Sequence, residues 1–277
     1  MKSIVILYHN DEDGFGAAWA AWKKFKNRAS YIPVEYKNRA AYLEKLKNKE
    51  IYLLDLCFDG KIMKKLLGEN KKLVVIDHHI GRKEDIKIST EYIYNLNCAG
   101  CVLAWKYFFP KKSIPKLLIY IEDMDIWKWR KPFSKEINAF LEACDFNFKE
   151  WDKFSEDFNN RQKFNKYIEA GKEILKYKNV LTKKLVQTGE NVIFEGYQTV
   201  AVNSPIFNSE IGHLISNRKG IGIVWSYENG RLLASLRSNG KIDVSKIAKK
   251  FRGGGHKASS GFDLPVKIKF PWKRIKI

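Results

Sequence analysis

Three short apolar runs, Ser3 to Tyr8, Ile51 to Leu56 and Leu73 to Ile76, constrain this chain more than any other feature, because each ends in or just before carboxylates or imidazoles. A strand that is apolar at successive positions is buried on both faces, as in parallel sheets sandwiched between helices. The intervening stretches fit that picture. Gly16 to Lys26 (GAAWAAWKKFK) reads as a helix whose small residues allow close approach to a sheet, and Lys61 to Leu67 reads as another. Strand and helix alternating in this way predict an α/β domain with a parallel sheet and helices on both faces. In such sheets ligands bind beyond the carboxyl ends of the strands. His9, Asp11 and Asp13 follow the first run, Asp55 lies near the end of the second, and Asp77, His78 and His79 close the third.

The rest of the chain reads as follows. Ala29 to Tyr36 is a weaker strand, expected at the periphery because Pro33 cannot donate to a ladder. Tyr42 to Lys47 reads as a short amphipathic helix and Arg82 to Tyr94 as a polar loop. Cys98 to Phe109 and Ile114 to Trp127 read as helices, the second carrying the acidic cluster Glu122, Asp123 and Asp125. Residues 131–188 are charged, helix-prone and studded with aromatics, and so form a helical connector. From Asn191 short apolar runs resume (NVIFEGY, TVAVNS, IGIVWSY, RLLASLRS), which predicts a smaller C-terminal α/β sheet domain. The basic tail Val266 to Ile277 reads as a final strand. The expected division is 1–130, 131–188 and 189–277.

Lys plus Arg number 51 against 31 Asp plus Glu, a formal net charge of +20, which favours a polyanionic partner. A lysine-rich genome or a hot habitat would raise the same number. The N-terminus has no signal-peptide pattern, and no apolar run approaches the ~18 residues needed to span a bilayer. Four scattered cysteines suit a reducing cytoplasm better than a disulfide framework.

Carboxylates and imidazoles without thiolates suit Mn-like or Fe-like ions, with Mg and Zn as alternatives. His9, Asp11, Asp13, Asp55, His78 and Asp123 are enough for two ions. Taken singly, each is more simply a helix cap or a solvated loop residue, but their clustering at strand ends argues for a site. These motifs resemble the DHH phosphoesterase superfamily with its DHH-associated C-terminal domain, the branch of RecJ-like exonucleases and nano-RNases (oligoribonucleases). The resemblance rests on HNDEDGFGAA, LLDL, VVIDHH, IEDMDIW and RGGGHKASSG, in that order along nearly the whole chain.

The resemblance implies two divalent metal ions, Mn foremost, with Mg, Co or Zn as alternatives, and a water activated between them. His9 and Asp11 would hold one ion, Asp13, His78 and Asp123 the other, with Asp55 bridging. Asp125 is the alternative to Asp123. His79 would meet the substrate phosphate and Asp77 would orient an imidazole. Within the C-terminal motif, Gly253, Gly254 and Gly255 would let backbone N–H groups approach a phosphate. Arg237 and His256 would supply charge-assisted hydrogen bonds, with Ser238, Lys257 and Ser260 as weaker candidates. Read alone, the glycine triplet is equally a turn after a helix.

The expected activity is hydrolysis of short single-stranded oligonucleotides or dinucleotides to mononucleotides. A cyclic-dinucleotide phosphodiesterase, a bisphosphonucleotide phosphatase, a longer-strand exonuclease and a catalytically dead binding module are the alternatives. No membrane partner is expected. The oligomeric state stays open, a homodimer among the options. Cys98 and Cys101 form a C-x-x-C that reads as core packing, and the aromatics between Phe133 and Phe158 read mainly as helix-packing residues. Trp127 and Trp129, which follow the acidic cluster, are candidates for lining the active site.

Overall fold

The computed structural model describes residues 2–34, 43–265 and 270–275. Glu35 and Tyr36 of the weaker strand, Tyr42 of the short helix, and 266–269 and 276–277 of the tail lie outside the described residues. The chain divides into two compact units, Met1–Leu175 and Lys176–Ile277.

The first unit is built on a five-stranded parallel sheet of order β2-β1-β3-β4-β5. Its strands are β1 (Ile4–His9), β2 (Ala29–Val34), β3 (Glu50–Leu54), β4 (Lys72–Asp77) and β5 (Glu91–Tyr94). Alternate residues of the apolar runs go to opposite faces. Val5, Leu7, Ile51, Leu53, Leu73 and Val75 fill one core, and Ile6, Tyr8, Tyr52, Leu54, Val74 and Ile76 fill the other. Helix α1 (Glu12–Phe25) covers the second face, with Phe15, Ala17, Ala18 and Trp19 fully buried. Helix α2 (Gly60–Glu69) brings Met63 and Leu66 to the first. β2, with Pro33, is an edge strand as its proline requires. β5 was legible only as loop, because four half-exposed residues carry no apolar run; its pairing with Val74–Asp77 recruits it.

Helices α3 (Gly100–Phe108), α4 (Lys116–Asp125), α5 (Ser134–Glu142) and α6 (Phe148–Asp157) add to the α1 side of the sheet, where Trp151, Phe154 and Phe158 join the core. The 27-residue helix α7 (Arg161–Gln187) runs through the boundary of the two units.

The second unit holds a seven-stranded mixed sheet, β10-β11-β9-β8-β7-β6-β12. Its strands are β6 (Glu190–Phe194), β7 (Tyr197–Asn203), β8 (Ile221–Glu228), β9 (Arg231–Ser238), β10 (Gly254–Gly255), β11 (Ser259–Pro265) and β12 (Lys273–Arg274). Helix α8 (Asn208–Lys219) packs Ile211 and Ile215 against Val202 and Val224 on one face. Helix α9 (Val244–Lys250) packs Val244, Ile247 and Ala248 on the other. Among the described residues no helix is long and apolar enough to cross a membrane.

Candidate functional site

The carboxyl ends of β1, β3 and β4 deliver His9, Asp55 and the pair His78–His79 to one edge of the parallel sheet, and the start of α1 adds Asp11 and Asp13. Asp11 is the N-cap of α1: its Oδ1 accepts from the Gly14 N–H at 2.9 Å, while its Oδ2 lies 2.6 Å from His9 Nδ1. The sharp turn from β1 into α1 requires glycine at 14, since a Cβ there would stand 2.0 Å from the His9 carbonyl oxygen.

Asp55 sits centrally, in the left-handed region at φ 55. Its Oδ1 is 3.2 Å from His78 Nε2 and 3.6 Å from His79 Nδ1, and its Oδ2 is 3.6 Å from His9 Nδ1. Asp13 is buried, and both its oxygens accept backbone hydrogen bonds, from Gly100 N–H at 2.7 Å and Cys101 N–H at 2.8 Å. Those two donors open helix α3, so the helix N-terminus pins the carboxylate. A Cβ at Gly100 would lie 2.7 Å from the Asp55 Cβ and 3.0 Å from Asp13 Oδ2. The sequence did not reveal Gly100 and Cys101 as part of the site. The available signal was the glycine inside the C-x-x-C, a motif whose Cys98 and Cys101 read as core packing.

Asp77 is fully buried, and its Oδ1 accepts from the His78 and His79 amides at 2.7 and 3.1 Å and lies 2.7 Å from His79 Nδ1. The tautomer of His79 is thereby set by a carboxylate behind it. The His79 side chain is 42% exposed, whereas those of His78 and Asp55 are 9% and 2% exposed.

The fourth motif departs from expectation. Asp125, not Asp123, stands in the cluster: its Oδ2 is 3.5 Å from His78 Nε2, and Asp13, His78 and Asp125 form one of three groups among the described residues whose ligand atoms lie close enough together to hold an ion. The other groups are His9, Asp11 and Asp55, and Asp55, His78 and His79. Asp123 instead turns to its own chain. Its Oδ1 accepts from Arg130 N–H and its Oδ2 from Lys131 N–H, at 2.9 and 3.0 Å. The two residues lie two apart near the end of α4, about 200° around the helix, so they cannot face the same way.

Charge in the cluster is unbalanced in a way that suits a cation. Burial, then the neighbouring Asp55 carboxylate, pushes both the Asp13 and the Asp125 carboxyls well above the usual range. Burial opposes the charge of Asp55 too, but the closeness of the His78 and His9 imidazoles outweighs it and holds that carboxyl below its ordinary value. For His9, burial would lower the pKa, yet Asp11 and Asp55 raise it to about 11; against the same effect of burial, Asp77 and Asp55 raise His79 to about 10. His9 Nδ1, Asp55 Oδ1, His78 Nε2 and Asp125 Oδ2 are buried and make no aligned hydrogen bond. Convergent nitrogen and oxygen lone pairs of this kind fit a divalent metal.

In the second unit, Gly254 and Gly255 pair with Gly261 and Ser260 in a hairpin whose exposed tip carries His256 and Lys257. Gly253 lies flush on Gly261 and Phe262, where a Cβ would meet backbone at 2.1 Å. Arg237 is the cross-strand partner of Ser259, and its guanidinium donates to Ser209 Oγ and to the Leu236 carbonyl, both at 3.0 Å. The Ser238 and Ser260 hydroxyls are committed inside the fold, donating to the carbonyls of Ile242 and His256. The structure therefore places the glycines, His256 and Lys257 on the β10–β11 hairpin and Arg237 on the neighbouring strand β9, and turns Ser238 and Ser260 inward.

The DHHA1 domain family matches residues 201–271. Uncharacterized protein R106 of Acanthamoeba polyphaga mimivirus is 31% identical over 298 residues, which span 98% of this chain and 70% of that protein. A pGpG-specific phosphodiesterase, PggH, from Vibrio cholerae superposes with a TM-score of 0.52 at 13% identity, covering 96% of this chain and 94% of its own. RecJ from Thermus thermophilus, solved in complex with Mn2+, superposes with a TM-score of 0.50 at 12% identity, over 94% of this chain and 49% of that one. At these identities the two structures share the fold.

Proposed function

We propose that this chain, which carries a DHHA1 domain over residues 201–271 and shares the fold of PggH and RecJ, is a phosphoesterase of the DHH superfamily that degrades short single-stranded oligonucleotides and dinucleotides to mononucleotides. The observation that carries the reading is the convergence of seven metal-capable side chains from three strand ends and two helices on one edge of the sheet. His9, Asp11 and Asp55 would hold one divalent ion, and Asp13, His78, Asp125 and Asp55 a second. RecJ, solved with Mn2+, supports manganese as the first ion to test.

Bound divalent cations would supply Lewis acidity, lowering the proton affinity of water and offsetting charge on phosphoryl oxygens. The chain's own residues supply the positioning. The amides of Gly100 and Cys101 hold Asp13 in one rotamer, and Asp11 divides its two oxygens between helix α1 and His9. Asp77 accepts the Nδ1 proton of His79 and, with Asp55, favours the charged ring, so an imidazolium would offer its second proton, on Nε2, to a phosphoryl oxygen and stabilise charge as it develops. In the second unit the glycine hairpin with His256, Lys257 and Arg237 is the proposed anion-binding element. The likeness to a pGpG-specific enzyme makes a linear dinucleotide the substrate to try first.

The test is a product time course with purified protein and Mn2+ on oligonucleotides of two to about 20 units, RNA and DNA, labelled at either end. Release of mononucleotides from dinucleotide to pentamer, fading with length, is expected. No release from any of them would overturn the reading.

A further inference from the structure

The segment after α4 places three aromatic residues in the left-handed backbone region within seven positions: Trp127 at φ 55, Trp129 at φ 51 and Phe133 at φ 61. Residues with a bulky side chain avoid this region, and such strain persists only where the surroundings over-determine it. Around the two tryptophans Asp123 does so. Its carbonyl accepts from the Lys128 and Trp129 amides at 2.9 and 3.1 Å, and its carboxylate accepts from those of Arg130 and Lys131. The Trp127 amide donates to the Met124 carbonyl at 2.8 Å.

Ring burial does not explain the arrangement, since Trp127 is 50% exposed and Phe133 49%. Trp127 stands edge-on to Trp129, with centroids 5.2 Å apart and planes at 78°. Exposed Lys128, Arg130 and Lys131 interleave with the two indoles. Trp127 is two residues from Asp125 of the metal cluster, a chain reach of at most about 7 Å.

We propose that Trp127, braced by Trp129, is a nucleobase-stacking platform that takes the base next to the scissile phosphate, with Lys128, Arg130 and Lys131 drawing in the flanking backbone. The inference rests on the proposed oligonucleotide hydrolysis and names its specificity element. Indole alternating with cation, two residues from a carboxylate cluster, suits a polyanion that carries flat bases better than it suits an apolar protein face. Stacking of this kind tolerates any base, with a lean to purines for their larger π surface.

The experiment compares kcat/KM for a dinucleotide with that for the same backbone carrying an abasic position, in the full-length protein. In Trp127→Gly the ratio of the two should fall about tenfold to a hundredfold, and any purine preference should vanish. Trp127→Phe should keep most of the ratio. Glycine relieves the backbone strain, so the melting temperature should hold or rise while discrimination is lost, which a purely structural role would not produce. Trp127→Asn serves the same purpose if the glycine variant fails to fold. An unchanged ratio in these variants overturns the proposal. If the wild type cleaves neither substrate, the functional reading fails separately. Stacking is then decided by tryptophan fluorescence: quenching by a dinucleotide that is weaker in Trp127→Phe sustains it, and identical quenching overturns it.

Discussion

His78 and His79 are sequence neighbours with different surroundings. His78 is buried, with Nε2 within 3.2 to 3.6 Å of Asp55, Asp125 and Asp13. His79 is half-exposed and held from behind by Asp77. Replacing His78 with Ala should therefore remove bound metal. Replacing His79 should leave metal bound and lower kcat about 10²- to 10³-fold, as loss of a charge-stabilising donor does. Metal content by mass spectrometry alongside kcat separates the two; equal metal loss in both would refute the division.

Asp123 and Asp125 make a second contrast at the same scale. Asp125→Asn should weaken metal binding with the fold intact. Asp123→Ala should keep the metal but cost about 2–4 kcal/mol by leaving two amides without their carboxylate, measured by urea unfolding. Although burial works against its charge, the Lys131 and Arg130 amides hold the Asp123 carboxyl below the usual range. Its contribution should then be complete above the unfolded value of about 4 and fade as pH falls through the folded one. The stability gap between wild type and Asp123→Ala should accordingly narrow at low pH.

At the scale of elements, the start of α3 is a positioning device. Two amides of its first turn bind Asp13, and the bare Cα of Gly100 lets the helix approach Asp55. A methyl group there would press on the Asp55 Cβ at 2.7 Å. Gly100→Ala should lower metal affinity about 10- to 100-fold, the scale of losing an outer-shell support, while circular dichroism stays native. Unaltered affinity would show that the helix can retreat without disturbing Asp13. Gly14 differs in kind, because a Cβ would strike backbone at 2.0 Å and β1 could not turn into α1.

At the scale of the whole molecule, the net charge of +20 argues for contact with more than one phosphate. Single strands lose affinity with salt at a log–log slope of about −0.7 per neutralised phosphate. The slope for a non-hydrolysed pentamer should therefore be steeper than that for a dinucleotide. Equal slopes would mean that the charge serves something other than the substrate strand.

Much of this protein is determined by local chemistry, and that part was legible in the sequence. Runs such as Ile4–Tyr8 and Leu73–Ile76 are apolar at every position, so they must be buried on both faces, and a parallel sheet with helices either side follows. The rule that such sheets bind ligands at their carboxyl edge then gathers His9, Asp55 and His78. The tertiary structure decided what depends on direction and on distant partners. Asp123 and Asp125 are equivalent as letters, and only the pitch of α4 turns one to the carboxylate–imidazole cluster and the other to the loop of Arg130 and Lys131. β5 exists because β4 offers it an edge, and Gly100 belongs to the site because α3 begins against Asp13 and Asp55. Burial pattern is written residue by residue along the chain, whereas which way a side chain points, and what it meets, is settled when segments far apart in sequence are packed together.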